Sequence, residues 1–191
     1  MSNISQIFCI WQGGLSIYGA LLGFLATSIV FLRKYGYNLW LWFDLMMPSI
    51  LFGLIILQLA NFMMQFSLGT PLGLDIPNDH SLAEYVEYRY RPTGFEAYQY
   101  FQPVALYQAF AYSIVFMISV LCLLINRKYK FLAEGTVFLF SVILMAIIRF
   151  GIGFMYFSVN KDMLLYPMQW IALTVMIATV FIYVVKRFQH N

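Results

Sequence analysis

The stretch Asp44–Gly69 reads DLMMPSILFGLIILQLANFMMQFSLG. It is long and apolar enough to cross a bilayer, which takes about 20 mostly apolar residues. Yet it carries Asp44, Pro48, Gln58 and Asn61. Polar groups at membrane depth are costly unless they face a protein interior or a wet cavity. A spanning segment that keeps several of them is the first place to look for a functional site.

The rest of the chain agrees with a membrane setting. Of 191 residues, 62% are hydrophobic and 10% charged, and the mean hydropathy is +0.78. Soluble domains average about 25% charged residues, so a water-facing surface is excluded. The sequence predicts an all-α integral membrane protein, one membrane domain over residues 1–191. Five windows are long enough to span: 12–32, 39–66, 103–125, 135–158 and 164–185. Arg33 and Lys34 follow the first, Arg127, Lys128 and Lys130 the third, and Lys186 and Arg187 the fifth. The positive-inside rule makes that side cytoplasmic. The N-terminus and the loop 67–102 then lie outside, and the C-terminus inside. The net charge of +3 follows from this placement and does not point to nucleic acid. Met1–Trp11 holds no Lys or Arg, which argues against a cleaved secretory signal. Cys9 and Cys122 fall near opposite faces of this topology, so no disulfide is expected between them.

The outer loop 67–102 reads as ordered. Leu68–Gly73 (LGTPLG) has turn chemistry. Ser81–Tyr90 (SLAEYVEYRY) predicts a short helix, with Ser81 as cap and Glu84 at the capping-box position. Tyr85, Tyr88, Tyr90, Tyr98 and Tyr100 suit either an interfacial aromatic belt or an entry surface for a lipid or peptide.

Counting helical rise from the outer ends brings polar residues of every span into one layer. Ser16 and Tyr18 come from the first span, Gln58 and Asn61 from the second, and Tyr107 and Gln108 from the third. Gln169 comes from the fifth. Arg149, in the fourth, sits nine residues before Ser158, roughly 13 Å down. Neutral amides and phenols share an Arg charge without cancelling it. Two readings stay open: a hydrogen-bonded knot that glues the helices, or a site for an anion such as a phospholipid phosphate, which Arg binds well. Asp44, near the cytoplasmic end of its span and within reach of Arg33 or Lys34, reads as a cap or interfacial ion pair. Glu134 reads as a carboxylate at a helix N-terminus. No hydrolase triad, phosphate-binding glycine loop or metal cluster is visible in the sequence. The histidines, His80 and His190, lie outside the spans, so no imidazole is placed to act as a base. No metal or cofactor is expected.

Several blocks, in order, resemble the prolipoprotein diacylglyceryl transferase family. They are Trp11–Gly19 (WQGGLSIYG), Asp44–Gly69, Pro103–Gln108 (PVALYQ), Arg149-Phe150 and Met168-Gln169-Trp170. The resemblance covers nearly the whole chain, as a short and divergent member, and WQGGLSIYG is its most specific piece. It implies a multi-pass protein of the bacterial cytoplasmic membrane. It also implies phosphatidylglycerol as lipid and the lipobox cysteine of a pre-lipoprotein as acceptor. Position by position, Asn61, Gly69 and Arg149 match the family motifs. Tyr18 stands where the family has His, Gln58 where it has Arg, Phe66 where it has Glu, and Gln108 where it has Glu. Around Arg149, the family's Tyr and Glu at four-residue spacing are Met145 and Gly153. Scaffold positions such as Gly13, Gly14, Gly23, Pro48, Gly53 and Pro103 match.

The resemblance therefore implies a lipid site built from Asn61, Gln58, Arg149, Gly69, Tyr107, Gln108 and Gln169. Tyr18 and Arg149 are its candidates for catalysis. Two functions remain in view. One is a lipid-binding or complex-forming membrane subunit whose transferase activity is reduced or lost. The other is an active diacylglyceryl transferase in lipoprotein maturation. Its other partners would be a lipoprotein or a further membrane subunit.

Overall fold

A computed structural model describes residues 17–73, 82–130, 132–156 and 167–190; some helix-end side chains, Tyr18 among them, lie outside that description. Five helices are seen: α1 (Ile17–Lys34), α2 (Leu39–Met63), α3 (Val104–Tyr129), α4 (Thr136–Ile152) and α5 (Pro167–His190). Four helical stretches are long and apolar enough to cross a membrane: Leu39–Met63, Val104–Tyr129, Thr136–Met155 and Met168–Lys186. The protein is thus a mostly helical membrane protein. The block Trp11–Ser16, the loop stretch 74–81 and the turn around Asn160–Asp162 lie outside the described residues.

Backbone proximity divides the chain into two compact units, Met1–Trp42 and Phe43–Asn191. In the first, α1 stops at a left-handed Gly36 (φ +70). The Gly36 and Tyr37 N–H groups turn back to the Arg33 and Leu32 carbonyls at 3.4 and 3.0 Å. That is a Schellman stop, which satisfies carbonyls the helix would leave open. Asn38 then caps α2, its Oδ1 accepting the Trp40 N–H at 3.0 Å, as a short polar side chain does at an N-cap.

The second unit is built on α4, which packs along both α3 and α5. Its core joins Met47 and Leu51 of α2 to Val115 of α3, with Phe116, Phe138, Val142, Leu144, Met145 and Ile148 against them. Between α3 and α4, buried Ser119 and Ser141 share a hydroxyl hydrogen bond of 2.7 Å. Small hydroxylated residues let membrane helices approach closely and bond across. Asp44 is 2% exposed, and it is a cap, but for another helix. Its Oδ2 accepts the Gly135 N–H at 2.6 Å and its Oδ1 the Phe138 N–H at 2.7 Å. The carboxylate thereby satisfies open donors at the α4 N-terminus, where the helix dipole also favours negative charge.

The loop departs from the sequence expectation. Ser81–Tyr90 is not a helix: β2 (Glu84–Tyr85) and a 3-10 turn (Tyr88–Tyr90) occupy its described part. Burial there alternates, with Glu84 and Val86 in and Tyr85 and Glu87 out, which is the period of a strand. Leu68–Gly73 is not a free turn either. Gly69 bridges Tyr156, and β1 (Pro71–Gly73) pairs antiparallel with β3 (Tyr100–Phe101), which also pairs with β2. A small three-stranded sheet is therefore added to an otherwise helical protein. Arg91 ties it down, its Nε donating to the Val86 carbonyl at 3.0 Å and its Nη1 to the Glu96 carbonyl at 2.8 Å.

Candidate functional site

One end of the second unit gathers most of the residues singled out in the sequence. The chain leaving α2 runs Gly69-Thr70. Gly69 N–H donates to the Gln102 carbonyl at 3.0 Å, Gln102 N–H to the Thr70 carbonyl at 3.1 Å, and Thr70 N–H to the Met155 carbonyl at 3.1 Å. The ends of α2 and α4 and the start of α3 are thus laced by main-chain bonds. Gly69 is needed at this crossing. A Cβ there would sit 2.7 Å from both Cβ and the carbonyl oxygen of Gln102, closer than carbon and oxygen pack. The glycine has a steric role here.

Gln108 lies in the second turn of α3 and is fully buried. Its Oε1 accepts the Tyr156 hydroxyl at 3.1 Å. Its Nε2 is buried with no hydrogen-bond partner among the described residues. Leaving a buried donor unmade costs about 1–3 kcal/mol, so this amide N–H calls for a hydrogen-bond acceptor. Tyr107, beside it, reaches the Leu82 carbonyl at 3.5 Å and so links α3 to the lead into β2.

Gln58 and Asn61 stand three residues apart in the last two turns of α2, and Asn61 Nδ2 donates to Gln58 Oε1 at 3.2 Å. Gln58 is buried. At the α4–α5 contact, buried Gln169 lies against Gly153, where a Cβ would come within 2.6 Å of the Gln169 Cγ. Its Nε2 approaches the Phe150 carbonyl at 3.4 Å. Arg149 Nη2 lies 3.8 Å from the Met168 sulfur. α4 ends at Ile152 and gives way to a 3-10 turn at Gly153–Met155. Arg149 is therefore in the last turn of the helix.

The structure thus brings Gly69, Tyr107 and Gln108 to one junction, and Arg149 and Gln169 to one helix contact. Gln58 and Asn61 form a separate pair. Tyr156 was not foreseen. It is one aromatic among many in the sequence, and only its pairing to Gly69 places its hydroxyl on Gln108. Glu84 was expected at a capping position and is instead buried, with both carboxylate oxygens lacking a hydrogen-bond partner among the described residues. Burial pushes its carboxyl up to about 7. Among the described residues, no group of three or more His, Cys, Asp or Glu is placed to hold a metal ion.

The family model for prolipoprotein diacylglyceryl transferase matches residues 1–185. The chain belongs to this family. Similar proteins named phosphatidylglycerol–prolipoprotein diacylglyceryl transferase occur in several bacteria. That of Geobacillus kaustophilus is 30% identical over 97% of this chain and 66% of its own length. That of Lactobacillus acidophilus is 28% identical over 96% and 63%, and that of Bacillus licheniformis 34% identical over 72% and 48%. The chain spans no more than about two thirds of the length of these curated relatives. No solved structure matches it.

Proposed function

We propose that this member of the family binds a phospholipid, phosphatidylglycerol or one like it, with its transferase activity reduced or lost. It acts in the bacterial cytoplasmic membrane as a lipid-binding or complex-forming subunit. The site is made of Asn61, Gln58, Gly69, Tyr107, Gln108, Arg149 and Gln169. Five spans in one membrane domain, an outside N-terminus and a cytoplasmic C-terminus would set it in the outer half of the bilayer.

The observation that carries this reading is Gln108. Its amide oxygen is occupied by Tyr156, its Nε2 is buried without a hydrogen-bond partner among the described residues, and an amide does not take up a proton at neutral pH. Such a group suits holding an acceptor, such as a phosphate or ester oxygen, and is unsuited to removing the proton from a thiol. Arg149 adds the positive charge that a phosphate needs. Tyr18 enters only through its motif position; a phenol, ordinarily titrating near 10, is a poor base at neutral pH.

Purified protein supplied with phosphatidylglycerol and a lipobox peptide tests both parts of the reading. Retained lipid without thioether product is expected. In the Gln108→Leu variant, lipid retention should fall about ten-fold, the loss of one to two buried hydrogen bonds. Thioether product that vanishes with Arg149→Ala would instead make the chain an active transferase.

A further inference from the structure

One edge of the loop sheet is filled by a single side chain. β2 lies at the border of the strand order β1-β3-β2. On its inner side Glu84 pairs with Phe101 and Tyr85 with Tyr100, and Val86 N–H donates to the Gln99 carbonyl at 3.0 Å. In an antiparallel ladder the Tyr85 carbonyl and the Glu87 N–H must then point away from β3. Both are taken by Gln65. Its Nε2 donates to the Tyr85 carbonyl at 2.7 Å, and its Oε1 accepts the Glu87 N–H at 3.3 Å. These two groups flank Val86. A residue of a parallel strand set opposite Val86 would place its own N–H and C=O on the same pair. The Gln65 amide stands in for one peptide unit of such a strand.

The backbone at Gln65 gives independent support. α2 ends in a Schellman stop, with Gln65 N–H on the Phe62 carbonyl at 3.1 Å and Phe66 N–H on the Asn61 carbonyl at 3.0 Å. Gln65 takes the left-handed position, φ +52. At the same position of α1 stands Gly36, the residue that adopts this conformation without a Cβ penalty. Backbone preference alone does not account for a glutamine here; the use of its amide does. A side-chain amide can leave by changing rotamer, which a true strand cannot. Around this edge Met63, Met64, Phe66, Tyr85 and Tyr88 are 55–82% exposed, apolar surface for the side chains of an added segment to cover.

We propose that the outer edge of β2 is a docking site for an extended polypeptide segment, which adds in parallel opposite Val86 and displaces the Gln65 amide. Main-chain bonds supply the affinity and alternate side chains meet the aromatic rim, as in strand addition generally. A lipid headgroup lacks alternating N–H and C=O groups at strand spacing, so the edge favours a peptide. That the peptide is a lipobox-type segment rests on the family reading above.

The test titrates a short fluorescent lipobox peptide, and single N-methylated versions of it, against the full chain in detergent. N-methylation at the pairing residue should weaken binding about five-fold or more, and methylation of its immediate neighbours should not, since each lost main-chain bond is worth on the order of 1 kcal/mol. Gln65→Gly, which suits the left-handed backbone and removes the competing amide, should bind about five-fold tighter. Glu87→Pro should bind about five-fold weaker; its φ of −63 and ψ of 142 suit proline, so the outward donor is lost together with only an exposed ion pair to Arg89. Absent binding, uniform tolerance of N-methylation, or unchanged or weaker binding by a folded Gln65→Gly variant would overturn the proposal. If that variant does not fold, the N-methyl series on the unaltered protein decides. Retained phosphatidylglycerol is read in the same samples. Lost lipid with the alternating pattern intact counts against the lipid reading alone, and retained lipid without that pattern counts against the docking site alone.

Discussion

At the scale of single residues, polar groups here are used across elements more than within them. Asp44 shows this best. Read along the sequence, it belongs to the start of its own span; in the fold its two oxygens close the N-terminus of α4. Removing it leaves two donors at a buried helix start unsatisfied. Asp44→Ala should therefore cost about 2–3 kcal/mol, the range for a lost cap plus an orphaned donor, and Asp44→Asn, which keeps one acceptor, about half of that. Thermal unfolding in detergent measures both. Equal stability of Asp44→Ala and the unaltered protein would show that water replaces the cap. The cap as a role was readable from Asp44's position near a helix end. The identity of the capped helix was not, because Gly135 and Phe138 lie more than 90 residues away.

At the scale of elements, the helices were legible and the loop was not. Apolar windows such as 39–66 and 103–125 carry their own signal, and the helices found, Leu39–Met63 and Val104–Tyr129, differ mainly at their ends. The strands of the loop are two or three residues long, too short for a periodic pattern, and they are held by distant groups. Glu84 shares a sheet position with Phe101, and nothing near either residue in sequence announces it. The buried Glu84 also makes the loop sensitive to pH. Its carboxyl ordinarily titrates near 4.5 and burial raises it to about 7. Between those values an opened loop has released a proton that the closed loop still holds, so closure weakens as pH rises through this window. Below about pH 4.5 the carboxyl is neutral in both forms, and above about pH 7 the whole penalty is present. Limited proteolysis of the loop should accelerate from pH 5 to pH 8, and the rise should flatten in Glu84→Gln. The same rise in Glu84→Gln would assign the effect to another group.

At the scale of the whole molecule, composition fixes a membrane protein and the placement of basic residues sets its proposed orientation. With native cysteines removed, a cysteine at Gln99 should react with a membrane-impermeant maleimide from outside the cell, and one at Lys128 should react only after permeabilisation. Reaction of Lys128→Cys in intact cells would reverse the topology. The proposed site could be named only in part from the sequence, where Asn61, Gly69 and Arg149 were expected from the family resemblance. The sequence could not show that Gln108 would be fully buried, its Nε2 without a partner among the described residues, nor that its oxygen would meet Tyr156, which the bridge to Gly69 holds at this junction.

The central claim is that this family member keeps a lipid site whose chemistry has been muted. Mass-spectrometric detection of thioether-linked diacylglyceryl peptide, from purified protein with phosphatidylglycerol and a lipobox peptide, tests it most directly. The account predicts lipid held by the protein and no thioether product. Product formed by the unaltered protein and abolished in Arg149→Ala would contradict it.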